Sequence, residues 1–179
     1  MKRTPELRTL SEDHHHGLVL ARRLRRTTDA DSAEPAAKGF LDFWQKDTAI
    51  HFRKEEEVLL PVMARYGGDI SREPLLEMLE DHARIRGLVM QLIDEAMGGN
   101  VRLETLHEIG ERLEAHIRLE ERVVFPLIEE SLPEVALKEL AARLEVKEAG
   151  PRAEPWLPAE EISYAPWPGP GDSEGGGYD

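Results

Sequence analysis

A chain of 179 residues is long enough for one domain with a sizeable core and short for two. Hydrophobic residues make up 40%, charged residues 33% and aromatics 6%, which suits a helical protein better than a sandwich of aromatic and β-branched strands. The net charge of −13 argues against nucleic acid or an anionic membrane as partner, and the absence of cysteine leaves any metal to nitrogen and oxygen ligands.

The basic start, "MKRTPELRTLSEDHHHG", is not followed by the apolar run of a signal peptide, and no stretch reaches membrane-spanning length. A cytoplasmic protein is expected. "TTDADSAEP" (27–35), "YGGDIS" (66–71) and "GGN" (98–100) read as loops from their Gly, Asp, Asn and Ser content. They leave four helical segments, about 10–27, 35–65, 72–97 and 101–130. On the first, Leu10, Gly17, Leu20, Ala21 and Leu24 share a face, while Arg22, Arg23, Arg25 and Arg26 point elsewhere as a solvated face or a contact for an acidic tail. On the third, Leu75, Met78, Leu79, Leu88, Val89, Leu92 and Ile93 form the stripe. Asn100 is expected to cap the fourth helix, with Glu104 in its first turn. Pro61 and Pro126 are expected to bend or end their helices.

Amphipathic helices joined by short loops bury their stripes on one another, so the expected fold is an all-α, up-down-up-down four-helix bundle. A short fifth helix is expected over "EVALKELAARL", opened by a capping box of Ser131 and Glu134. The bundle domain is placed at 8–148. A Pro/Gly/acid-rich tail, 149–179, follows it and carries two of the three tryptophans. Mobility is the plain reading of the tail; docking of Trp156, Tyr164 or Trp167 on the bundle or a protein partner is the sharper one.

The chain also repeats itself. "HFRKEEEVLLP" (51–61) aligns without gaps to "HIRLEERVVFP" (116–126), and "LSEDHHHGLVLARRL" (10–24) to "MLEDHARIRGLVMQL" (78–92). One helical hairpin is thus used twice, with "EDH" on its first helix and "HxRxEExVxxP" on its second. At about 1.5 Å per residue, His14, His51, His82 and His116 each lie about 20–24 Å from the same end of an antiparallel bundle. All four fall in one layer. At about 100° per residue His14 and His82 sit within the apolar stripes, and Glu55 and Glu120 stack one turn beyond His51 and His116. Glu56 and Glu57 read as the solvated remainder. His15 remains an alternative to His14, and Glu121 to Glu120. His107 is too far along its helix to join and is expected to be exposed.

A lone histidine on a helix is more often a packed or surface residue than a ligand, and "EEE" alone is usually a solvated face. The second copy changes that balance, because four imidazoles and two carboxylates in one buried layer make a poor core unless cations neutralise them. Six such ligands exceed one open zinc site and suit two ions bridged by Glu55 and Glu120, with iron, manganese or zinc as candidates. Haem would use two histidines and leave the carboxylates unexplained.

The set His14, His51-x-x-x-Glu55, His82 and His116-x-x-x-Glu120, over residues 8–130, resembles the hemerythrin-like, or HHE cation-binding, family. That resemblance implies a non-heme di-iron centre with a bridging oxo or hydroxo group, His14, His51, His82 and His116 as terminal ligands, and Glu55 and Glu120 as bridges. Oxygen-carrying members have a fifth histidine where this chain has Arg86, and an aspartate where it has Glu121. The expectation therefore moves from oxygen carriage toward binding or sensing of oxygen, nitric oxide or iron. Two alternatives stand beside it: a redox enzyme reducing oxygen or decomposing peroxide, and an interaction module with a structural metal. Arg86 is expected to form a salt bridge.

Overall fold

The computed structural model describes residues 4–145. After a single 3-10 turn, Pro5–Leu7, come α1 (Arg8–Arg26) and α2 (Ala30–Phe43). The second long helix continues through a π-helical turn (Trp44–Thr48), α3 (Ala49–Lys54), a second π turn (Glu55–Leu59) and α4 (Leu60–Arg65). Then follow α5 (Glu73–Met97), α6 (Leu103–Leu119), a third π turn (Glu120–Val124), α7 (Phe125–Ser131) and α8 (Glu134–Leu144). Counted as rods, these are the four expected helices and the short fifth. The boundary placed at 148 and the tail lie outside the described residues. Among the described residues no helix is long and apolar enough to cross a membrane.

Local chemistry explains most ends, and it corrects several expectations. The second rod starts at Ala30, not Pro35, because the Asp29 side chain accepts the Ser32 N–H at 2.9 Å and caps the helix there. Pro35 then lies inside α2. The carbonyl its missing N–H would have met belongs to exposed Asp31. The rod ends at Arg65 in a Schellman motif: Gly67 has φ 80°, and Gly68 N–H donates to Met63 O at 2.9 Å. The same motif closes α5, with Gly99 at φ 65° and Asn100 N–H donating to Glu95 O at 2.9 Å. Asn100 therefore belongs to the preceding helix, and the N-cap position of α6 is Arg102. The expected capping box also fails: Ser131 closes α7, and Pro133 directly precedes α8.

Neither Pro61 nor Pro126 ends its helix. Each follows a π turn by two residues, and there Leu60 N–H reaches Glu55 O and Phe125 N–H reaches Glu120 O, one residue further back than in an α-helix. Proline has no N–H for the i−4 carbonyl and its ring crowds it, so a widened turn just before it relieves both faults. The repeated proline thus goes with a repeated bulge that opens at the conserved-in-both-copies glutamate, Glu55 or Glu120.

Packing places a polar layer between two apolar cores. One core gathers Ala21, Leu24, Phe40, Trp44, Phe52, Ile85, Val89, Leu113 and Ile117; the other gathers Leu7, Leu10, Leu59, Met63, Met78, Val124, Phe125 and Ile128 with α8 residues Leu137 and Leu140. On every rod the layer residue separates the two sets: His14 lies between Leu10 and Ala21, and His82 between Met78 and Ile85. Close approach of α1 and α6 depends on Gly110, where a Cβ would fall 2.6 Å from Ala21 O.

Candidate metal centre

Six side chains converge in that layer. His14, His51, Glu55, His82, His116 and Glu120 are each at most 5% exposed. His15 and His16, next to His14, point to solvent. The six form two overlapping groups, His14–His51–Glu55–Glu120 and His82–His116–Glu55–Glu120, with each group's ligand atoms within 4.8 Å of one another. Both share the two glutamates that open the π turns.

The imidazoles turn their Nε2 atoms inward. His14 Nε2 lies 3.0 Å from His51 Nε2 and 3.0 Å from Glu120 Oε2. His51 Nε2 is 3.5 Å from Glu55 Oε1, and His82 Nε2 is 3.3 Å from Glu55 Oε2. Glu120 Oε1 is 3.0 Å from His116 Nε2 and 3.7 Å from His82 Nε2. Close as these atoms are, both oxygens of Glu55 and of Glu120, and the Nε2 atoms of His82 and His116, are buried without an aligned hydrogen-bond partner. Polar atoms that crowd a common centre without aligned hydrogen bonds are costly in a core, and cations in place of the imidazole protons would satisfy them. The donor set fits a pair of divalent ions.

Outward, the imidazole Nδ1 atoms face a ring of carboxylates. His14 Nδ1–H donates to Glu121 at 2.7 Å, His51 Nδ1–H to Asp13 at 3.2 Å and His82 Nδ1–H to Glu56 at 2.7 Å. His116 Nδ1 lies 3.8 Å from Asp81, beyond hydrogen-bond reach. Such partners fix the ring orientation and leave Nε2 for a metal. The wiring follows the repeat. The Asp of each "EDH" faces the His of the second helix in its own hairpin, bonded to it in the first copy only, and the second Glu of each "EE" serves the "EDH" histidine of the other hairpin.

Glu56 is accordingly not part of a solvated remainder. It is half-buried, holds His82 and accepts two bonds from Arg86, at 2.7 and 3.1 Å. Arg86 forms the expected salt bridge there, and with Glu56 it covers one flank of the centre beside Phe52, whose ring stacks on His82 at 3.8 Å between centroids. His107, expected to be exposed, is half-buried, and its Nε2–H donates to Thr27 O at 2.7 Å, tying α6 to the end of α1. The outer ring escaped the sequence reading, although its signal was present: Asp13 and Asp81, like Glu56 and Glu121, occupy matching places in the two copies.

Charge reinforces the geometry. Burial alone would push the His51 pKa down, but Glu55, Asp13 and Glu120 raise it to about 10. His82 is likewise raised to about 10 against burial, by Glu120, Glu55 and Glu56. Against its own burial penalty, Glu120 is held well below the usual carboxylate range by His116, His14 and His82. Burial raises Glu56 too, yet His82 and Arg86 bring it to about 2. Without metal the layer thus carries protons on imidazole opposite ionised carboxylates.

A comparison with curated proteins and one with solved structures found no match. A family model, described as the hemerythrin HHE cation binding domain, matches residues 6–128, which takes in α1 to α6, the start of α7 and all six converging side chains. The chain belongs to the hemerythrin HHE cation-binding domain family.

Proposed function

We propose that this protein is a metal-binding protein whose centre takes two iron ions and serves to bind or sense a small oxidant or gas: dioxygen, nitric oxide or peroxide. His14, His51, His82 and His116, with Glu55 and Glu120 shared between the two groups, would hold the ions. Manganese or zinc would satisfy the same donors. Bound iron supplies a redox couple and a coordination position for a small ligand. The chain's own residues do the rest: Glu121, Asp13 and Glu56 orient the imidazoles, and Phe52 and Phe125 wall the site against water, with Phe125 stacked on His14 at 5.4 Å.

The observation that carries this reading is the set of polar atoms left without hydrogen-bond partners on Glu55, Glu120, His82 and His116 in a fully buried layer. Protein produced in iron-rich medium should contain close to two iron atoms per chain by elemental analysis, and Glu55→Ala and His116→Ala should lose most of it. Equal, negligible iron in wild type and variants would remove the proposal. A redox enzyme on the same residues separates from a sensor by turnover: repeated consumption of oxygen or peroxide with an electron donor marks the enzyme, and one stoichiometric binding event marks the sensor.

A further inference from the structure

A cavity leads from solvent to the centre between α1, the first π turn and α6. Its inner wall carries His14, His51 and Glu120, its side Gly17, and its rim Asp13 and Asp47. Its free volume of about 20 Å³ has room for about one water molecule. Glu120, which lines its inner end, is completely buried with both oxygens unpartnered.

The two hairpins differ at the rim. Four residues before His116 stands Arg112, whose Nη1 lies 3.4 Å from Asp81. The same place before His51 is Asp47. One copy therefore sets a guanidinium against its "EDH" aspartate, and the other sets a second carboxylate near it. The charged groups around Asp47 are Asp13, His16, Asp42 and Lys46. Lys46 is engaged by Asp42 at 2.6 Å, and Asp13 faces His51 and, at 3.5 Å, Lys54. Asp47 has no ion pair among the described residues. It is exposed while Asp13 is half-buried, so the two carboxylates lead inward from the surface.

We propose that this cavity is the entry port for divalent cations, and that Asp47 with Asp13 forms an outer capture site from which they reach His14, His51 and Glu120. The inference rests on the metal-binding reading above. Carboxylates at the mouth of a low-dielectric cleft concentrate cations and raise their capture rate, an effect that salt screens. At the matching position of the other half, Arg112 presents the opposite charge.

The test is stopped-flow loading of the metal-free full-length chain with Co²⁺, read by the visible absorption that imidazole and carboxylate ligation produces. At low ionic strength Asp47→Asn should load about three- to tenfold more slowly than wild type, and Asp47→Arg more slowly still. The differences should shrink as salt rises, and the final absorbance should match wild type, because Asp47 holds no ligand. Glu77→Gln, an equal charge change on exposed α5 surface, should load at the wild-type rate. The port is overturned if both Asp47 variants load at the wild-type rate, if their slowing ignores salt, or if Glu77→Gln slows equally; each of these leaves two bound ions and the metal reading intact. Failure of the wild type to take up Co²⁺ at all would remove that reading and the port together.

Discussion

The two halves of the centre share a ligand pattern and differ in what surrounds it. Around His82 and His116 the outer carboxylates are each met by arginine: Glu56 by Arg86 at 2.7 Å and Asp81 by Arg112 at 3.4 Å. Around His14 and His51, Glu121 accepts from the Ser11 hydroxyl at 2.6 Å and Asp13 lies 3.5 Å from Lys54. Residues present in both copies build the ligand layer. Residues present in one copy set how the outer carboxylates are compensated. A duplicated hairpin can thus keep a symmetrical donor set while its two sides take different tasks.

The largest effect should come from the residues that join the halves. Glu120 lies within 4 Å of three imidazoles, those of His14, His82 and His116, whereas His51 belongs to one group alone. Glu120→Ala should therefore abolish binding of both ions, and His51→Ala should leave about one ion per chain, held by His82 and His116. Elemental analysis after desalting distinguishes these outcomes. Two ions retained by Glu120→Ala would break the shared-bridge arrangement, and loss of both from His51→Ala would mean that neither half binds alone.

How the chain announces this centre is instructive. The layer of four histidines, and the choice of Glu55 over Glu56 as the inward-facing residue, were legible because helical rise and rotation are nearly constant over the short distances involved. Breakers located the loops for the same local reason, through the Gly67 and Gly99 turns. What pattern could not deliver was context of another kind. Pro61 reads as a stop only if the ladder before it is an α-helix, and the π turn at Glu55 changes that. Glu56 reads as solvated because rotation alone turns it away from His51, yet what it meets is Arg86 and His82 from α5, a tertiary partner invisible in its own helix. The capping box at Ser131 failed similarly, since α7 packs on and carries Ser131 as its final residue.

A smaller effect should sharpen the difference between the outer shells. Glu56→Gln and Glu121→Gln each leave an amide oxygen that can still accept from the histidine Nδ1–H, at His82 and His14, but remove the negative charge behind it. Each should weaken metal binding by about tenfold, the lower end of the range for outer-shell partners. Glu56→Gln should also affect folding. Glu56→Gln leaves Arg86 half-buried without its carboxylate and should destabilise the metal-free chain by about 1–2 kcal/mol. Urea denaturation gives the first quantity and competition with a chelator the second. An unchanged urea midpoint for Glu56→Gln would show that the Arg86 pairing adds nothing to stability.

The smallest effect is a slope with pH. In the metal-free chain His51 and His82 are both raised to about 10, so each binds its proton more tightly folded than unfolded. Stability from a raised histidine is complete below the ordinary value of about 6.5 and drains away as pH climbs through 10, by at most about 1.4 kcal/mol per pH unit for each group. The urea midpoint of metal-free protein should therefore fall between pH 7 and 9. Glu56, lowered to about 2, gives the opposite limb, present above the ordinary carboxylate value and lost as pH drops toward 2. Metal reverses the first limb, since ligation needs the Nε2 lone pairs and must expel those protons: loading at pH 7 should release about two protons per chain, and affinity should rise with pH where apo stability declines. A pH indicator in weak buffer counts the protons. A midpoint that stays flat or rises from pH 7 to 9, with no proton release on loading, would mean that the imidazoles are neutral before metal arrives and that the carboxylates of both halves hold them by geometry alone.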